Sequence, residues 1–175
     1  MKKISLRNNL YFSTLLWLQS CGIFTFSGIM LSPDLQTFSI QEFYTEVSDG
    51  PLDAYKMVTT ELENRILRET PLTRESQNGD LQYEGTIKSF VYTSVFSAEG
   101  KHNDTLQEVQ RLTITVEVSY INRLSEEFSF KKKLFSASKD LNADAYKESK
   151  ENELVKEIMR EIVDHIFSQS IDNNW

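Results

Sequence analysis

The sequence predicts an α+β domain in the order β-α-β-β-β-α, with two helices packed on one face of a four-stranded, mostly antiparallel sheet. Three observations carry that expectation. From Leu112 to Tyr120, apolar residues alternate strictly with polar ones, the period of a half-buried strand. Two segments, one near 51–68 and one near 151–168, instead place apolar residues at steps of three and four, the period of an amphipathic helix. Turn-forming sequences separate the later strands closely enough for hairpins, and hairpins impose antiparallel pairing.

The elements follow in order along the chain. Thr37-Phe38-Ser39-Ile40-Gln41 reads as a first strand with Phe38 and Ile40 on one face. Ser48-Asp49-Gly50-Pro51 is a turn that can open a helix, with Ser48 or Asp49 as cap and Pro51 in the first turn. Leu52, Tyr55, Val58, Leu62 and Ile66 form one helical face, which ends near Arg68 ahead of Thr70-Pro71. After the Asn78-Gly79-Asp80 turn, Leu81, Tyr83, Gly85 and Ile87 alternate with polar residues. Apolar residues on both sides from Phe90 to Phe96 imply a bulge at Ser89-Phe90 or burial of both faces.

Residues 97–109 read as a polar loop. Leu112, Ile114, Val116, Val118 and Tyr120 then face one way, and Arg111, Thr113, Thr115, Glu117 and Ser119 the other. Asn122-Arg123-Leu124-Ser125 turns the chain into a last strand carried by Phe128, Phe130 and Leu134. Lys132 interrupts that apolar face, a guard against edge-to-edge pairing. At strand spacing Lys131 and Lys133 share the opposite face. The run Lys131-Lys132-Lys133 reads as edge protection and solubility, with contact to a phosphorylated ligand as the alternative. Residues 137–149 are a polar connection into the final helix.

That helix carries a spine of Leu154, Ile158, Ile162 and Ile166, flanked by Val155, Met159, Val163 and Phe167. The stripe is wider than one sheet contact needs, so the helix is wedged between the sheet and another element, or it also meets a partner. Taking the three hairpin strands as up, down, up puts loop 97–109 and connection 137–149 at the same end of the sheet, with the turn 122–125 at the opposite end.

The N-terminus is an export signal. A basic stretch from Met1 to Arg7 precedes the nine-residue, mostly apolar run Leu10–Leu18, too short to span a bilayer. It ends at Leu18-Gln19-Ser20-Cys21, the order of a lipobox, with Gln19 bulkier than usual at its position. Cys21 is the single cysteine, so it has no internal disulfide partner, and its place after the apolar run assigns it to lipidation. A diacylglyceryl thioether with an N-acyl chain meets the requirement for more than one acyl chain. The expected organisation is therefore a cleaved signal peptide at 1–20, an apolar tether at 21–33 and a single α+β domain at 34–175.

The chain has 19 Lys+Arg against 26 Asp+Glu, and removal of Lys2, Lys3 and Arg7 leaves 16 against 26, about −10. Such a surface repels nucleic acid and anionic headgroups, so membrane residence falls to the lipid. No nucleophile elbow, phosphate loop or metal-ligand spacing occurs, and His102 and His165 lie apart; the expectation is a non-enzyme without metal or cofactor. Asn103-Asp104-Thr105 fits the N-glycosylation pattern, which is read as coincidental in a bacterial lipoprotein. Asp104-Thr105-Leu106 looks like an O-glycan acceptor signature of some Gram-negative envelope proteins, which makes Thr105 a candidate O-glycosylation site.

Taken in order, these residues resemble the LptE family of lipopolysaccharide-assembly lipoproteins, in the branch that opens Cys-Gly-x-x-x-Phe-x-Gly. Cys21-Gly22 with Phe26 and Gly28 carries that opening. Ser39-Ile40-Gln41, Gly79-Asp80-Leu81 with Glu84-Gly85, Arg111 to Val116, Leu154 to Asp164, Ile166-Phe167 and Asn174-Trp175 continue it. The resemblance implies a non-catalytic protein at the outer membrane, anchored at Cys21 and facing the periplasm. It would plug the lumen of an LptD-type β-barrel, help assemble it, and assist lipopolysaccharide delivery to the outer leaflet.

It also implies the partners: the barrel, lipopolysaccharide, and outer-membrane lipid through the acyl anchor. The exposed strand face with Thr113, Thr115 and Glu117 would meet the barrel. By topology the ligand-binding end would hold Lys101, His102, Lys139, Lys147 and Lys150, in loops that also carry Glu99, Asp104, Glu108, Asp140 and Asp144. The competing class is a surface-exposed lipoprotein that captures glycan or protein ligands. The first acidic residue after Cys21 is Asp34, which favours a periplasm-facing anchor, and Phe and Tyr follow core periodicity rather than forming an exposed platform.

Overall fold

A computed structural model describes residues 31–48, 50, 51, 53–97, 107–141 and 148–172. Strand β1 spans Thr37–Ile40 and is followed by a two-residue strand β2 at Tyr44–Thr45. Helix α1 runs Ala54–Glu69 and leads into β3 at Thr73–Arg74. The long strands β4 (Leu81–Ser97), β5 (Gln107–Asn122) and β6 (Phe130–Leu141) precede helix α2 at Glu148–Phe167. A 3-10 turn at Glu126–Phe128 and a π-helical turn at Ser168–Asp172 complete the elements.

Among the described residues the sheet has six strands rather than four, in the order β3-β1-β4-β5-β6, with β2 beside β4. The long hairpins β4-β5 and β5-β6 are antiparallel as expected. β1 instead runs parallel to both β3 and β4, and β2 parallel to β4, so the sheet is mixed. The reason is the connection: α1 lies between β1 and β4 and returns the chain to its starting end, which makes the two strands parallel.

Helix α1 begins three residues later than the sequence implied. Asp53 occupies the cap position without a side-chain cap hydrogen bond, while Ser48 and Pro51 precede the helix; Asp49 and Leu52 lie outside the described residues. Val58, Leu62 and Ile66 are fully buried and Tyr55 half-buried. The helix stops where Thr70 turns to extended backbone, its hydroxyl and N–H both donating to the Ile66 carbonyl ahead of Pro71.

Every residue of the alternating set Leu112, Ile114, Val116, Val118 and Tyr120 is fully buried under the helices. The stripe of α2 is buried as well: Ile158, Met159, Ile162 and Ile166 are inaccessible, with Val155, Val163 and Phe167 nearly so. Its width is used within the domain, because α2 packs against β5 and β6 on one side and α1 on the other. Arg65 of α1 lies over the Phe167 ring at 5.1 Å and reaches Asp164 at 3.7 Å, which ties the two helices along their seam.

Two irregularities correct the strand readings. The β4 bulge falls at Lys88, between Ile87 and Ser89, one residue before the expected place. Beyond it the apolar residues are not buried on both faces: Val91, Tyr92 and Phe96 are exposed. In β6, a second irregularity opposite Ser119 puts Lys132 at φ 52°, the left-handed region. Alternation breaks there, so Phe130 pairs with Tyr120 and Lys133, three residues on, pairs with Val118.

The buried face of β6 is therefore Phe135, Ala137 and Leu141, while Leu134 points outward and is exposed. Phe128 lies in the 3-10 turn, outside the strand. Strands β5 and β6 also extend into segments read as loop and connection, since Gln110 pairs with Leu141 and Ser97 with Gln107.

Candidate functional site

The helices cover one face of the sheet and leave the other open. On that outer face the register aligns residues in rows across β4, β5 and β6. Ser89, Thr115 and Ser136 form one row, and Val91, Thr113 and Ser138 the next. Thr93, Arg111 and Asp140 close the set on one side, and Glu117 lies opposite Thr86 and Leu134 on the other. Thr113, Thr115 and Glu117 are thus brought together on one surface, each half-buried by its neighbours.

The central rows of this surface are short β-branched or hydroxylic side chains, which suit a pleated, half-buried surface, with exposed Val91 and Leu134 among them. One strong charge pair bounds it. Arg111 donates from Nε to Asp140 Oδ1 at 2.6 Å and from Nη2 to Oδ2 at 3.0 Å, the forked geometry of a bidentate pair. Arg111 thereby holds the Asp140 carboxyl below its usual range. The sequence reading named Arg111 as outward-facing and Asp140 as a loop acid but not their pairing, since 29 positions separate them and nothing local signals it.

The end assigned to ligand binding is partly within the described residues. Registers place the termini of β4, β5 and β6 that flank 98–106 and 142–147 at one end, with Leu81 and Asn122 paired at the other. Lys101, His102, Thr105 and Lys147 lie outside the described residues, as do Cys21 and the rest of the signal and tether up to residue 30. Lys150 stands in the first turn of α2 rather than in a loop. Lys139 lies in β6 opposite Leu112, on the helix side, where its Nζ meets Glu161 at 3.0 Å. Asp140, read as a loop acid, is the outward partner of Arg111. His165 is exposed in the last turn of α2.

At that same end β4 carries Tyr92 and Phe96 on the helix side of the sheet, 45% and 71% exposed. The Tyr92 hydroxyl donates to Glu151 of α2, and partial burial with that carboxylate beside it pushes its pKa up to about 12. Tyr44 in β2 is exposed too. Aromatic residues therefore do not all follow the core, contrary to the sequence reading. Tyr44 lies in a strand too short to show alternation, and the bulge at Lys88 shifts the register beyond it.

The lysine run is distributed by the break in β6. Lys133 lies 5.4 Å from the Phe130 ring centroid and 5.7 Å from that of Phe135, and its ammonium donates to Gln169. The Lys132 N–H donates to Ser119 Oγ at 3.3 Å. β6 is the terminal strand of the sheet, the place where lysines and an irregular backbone discourage further pairing. Among the described residues, no group of three or more His, Cys, Asp or Glu is placed to hold a metal ion. No described helix is long and apolar enough to cross a membrane.

Comparison with known families gives a match to the model described as "LptE: Lipopolysaccharide-assembly" over residues 35–170. The chain belongs to the LptE family. The match runs from just before β1 into the π-helical turn, so it takes in every strand and both helices. Curated proteins give no match by sequence.

Among solved structures, a hypothetical protein from Chlamydia trachomatis is 11% identical at a TM-score of 0.52, covering 79% of this chain and 99% of its own. A protein from Xanthomonas campestris is 8% identical at 0.51, covering 81% and 90%. At these identities they show a shared fold. A minor lipoprotein from Acinetobacter baumannii is similar over 77% of this chain and 91% of its own, at 13% identity and a TM-score of 0.47.

Proposed function

We propose that this LptE-family chain is an outer-membrane lipoprotein, anchored through Cys21, that plugs the lumen of an LptD-type β-barrel, helps assemble it, and assists lipopolysaccharide delivery to the outer leaflet. The observation that carries the reading is the outer sheet face. It is a hydroxyl-rich surface around Thr113, Thr115, Ser136 and Ser138, interrupted by the exposed side chains of Val91 and Leu134, and among the described residues both helices lie on the opposite face. A body lodged in a polar lumen needs a rigid, hydrophilic exterior, and the long antiparallel ladder supplies the rigidity. The role is non-catalytic, and the ligand-binding end is the one bearing Lys101, His102, Lys139, Lys147 and Lys150.

Photo-crosslinkers at Thr113 and Thr115 test the reading directly. Capture of a large outer-membrane barrel at both positions, with lipopolysaccharide captured at Lys101 or Lys147, is the expected result. Absence of a barrel at every position overturns the plug. The second reading, a surface lipoprotein that binds glycan or protein, draws on the exposed rings of Tyr44, Tyr92 and Phe96. Protease accessibility on intact cells separates the two, since a chain enclosed in a barrel is protected and a surface-displayed one is cleaved.

A further inference from the structure

The outer face also holds a concavity that the plug reading does not use. A cavity of about 520 Å³ lies between the end of β1, the turn before β4 and the start of β4, at the end of the sheet remote from Lys139 and Lys150. Four side-chain amides, Gln41, Gln77, Asn78 and Gln82, and two carboxylates, Glu42 and Glu84, line it; no Lys, Arg or His does. A shallower cavity of about 100 Å³ shares Gln41, Glu42, Glu84 and Ser119 and continues to the exposed ring of Tyr44, with Glu117 and Lys132 also in its lining.

One wall is held in place by the domain itself. Gly79 lies so close to β1 that a Cβ there would fall 2.5 Å from the Phe38 carbonyl carbon. Its N–H donates to Ser39 Oγ at 3.2 Å, Gln82 Nε2 donates to the Gly79 carbonyl at 3.0 Å, and Arg123 Nη1 donates to the Asn78 carbonyl at 3.1 Å. A wall fixed before binding costs little ordering when a ligand enters.

The chemistry narrows the ligand. The volume falls in the range of small-ligand sites, roughly 300–1,000 Å³. The larger cavity holds two carboxylates and no cation, and the smaller holds three, Glu42, Glu84 and Glu117, against one lysine, Lys132, so on a net-acidic chain the trough repels phosphate and carboxylate groups. Amides both donate and accept, and carboxylates accept, which suits hydroxyls that do both. Ile121, 39% exposed at the rim, and Tyr44 offer apolar surfaces for the C–H faces of sugar rings.

We infer that this trough binds a neutral glycan segment. The inference rests on the lipopolysaccharide reading only for the expected source of that glycan.

The test is titration of the isotopically labelled full-length chain, in detergent micelles, followed by NMR. One arm uses polysaccharide freed from lipid A and dephosphorylated, and the other a plain glucan oligomer. Either should shift the Gln41, Gln77 and Gln82 side-chain amides and the Asn78–Asp80 backbone. A preference for the first arm assigns the source to lipopolysaccharide, and equal binding assigns a generic glycan site.

Gln41→Ala and Glu84→Ala, both exposed, should each weaken binding about tenfold, the loss of one or two hydrogen bonds. Several outcomes overturn the proposal: no shifts with either glycan, shifts confined to the opposite end of the sheet, or binding indifferent to both substitutions. So does loss of barrel copurification in the double variant, which makes the trough a protein contact. Failure of the wild-type chain to copurify with a barrel refutes the plug and leaves the titration readable.

Discussion

Asp80 joins the entry of β1 to the start of β4, and its removal gives a magnitude that can be worked from geometry. Its Oδ2 accepts from the Gln36 N–H at 3.1 Å, the Thr37 N–H at 2.9 Å and the Thr37 hydroxyl at 2.8 Å, while its own N–H donates to the same hydroxyl oxygen at 3.0 Å. Hydrogen bonds to a charged group contribute about 1.5–3 kcal/mol each when buried. Here the Gln36 bond is exposed and the Thr37 bonds part-buried, so water recovers much of the loss. Asp80→Ala should therefore cost about 2 kcal/mol, read as a shift of the denaturant midpoint at unchanged slope. Asp80→Asn, which keeps an acceptor oxygen and loses the charge, should fall between the two.

The pH dependence supplies a second check. The Gln36 N–H, followed by the Thr37 hydroxyl, holds the Asp80 carboxyl below its ordinary range. A depressed carboxylate contributes stability that is fully present above the unfolded pKa of about 3.9 and disappears as pH falls through the lower folded value. The difference between wild type and Asp80→Ala should be constant near neutrality and shrink below about pH 4. A midpoint shift under about 0.5 kcal/mol, or a difference that does not diminish in acid, refutes the role assigned to this carboxylate.

The remaining predictions concern the core, the turn and the anchor. Ile114→Asp buries an unpaired carboxylate at an inaccessible position and should abolish folding, since that costs several kcal/mol; a soluble domain with unchanged melting temperature contradicts the register of β5. Gly79→Ala drives a methyl into the backbone of Phe38 and Ser39, with contacts of 2.5 and 2.6 Å, and should destabilise by about 2 kcal/mol or more; a variant as stable as wild type in urea removes the close approach of turn and strand. Cys21→Ala should give an unprocessed or misprocessed chain poorly held by the outer membrane, and equal labelling of wild type and variant by a palmitate analogue sinks the lipid anchor.

The sequence by itself determined the elements whose burial is periodic. Leu112 to Tyr120 and the stripe from Leu154 to Phe167 are amphipathic in isolation, so their partition between core and surface follows from the hydrophobic effect along one element. The family resemblance was equally legible, because it rests on the order and spacing of residues. Tertiary structure decided what depends on residues far apart in the chain. β2 and β3 exist only because β4 and β1 offer free ladder edges, since two residues carry no period of their own. The parallel course of β1 follows from where α1 returns the chain.

The bulges at Lys88 and Lys132 reassign whole faces, because one inserted residue reverses every side chain beyond it. That is why Leu134 is outside, Phe135 inside, and Lys133 over two aromatic rings. The candidate surfaces divide in the same way. Alternation alone placed Thr113, Thr115 and Glu117 on one face, whereas the rows they form with Ser136 and Ser138, the Arg111–Asp140 pair and the amide-lined trough arise from register and closure. Those are set by pairing energies between strands, to which no single stretch of sequence gives access.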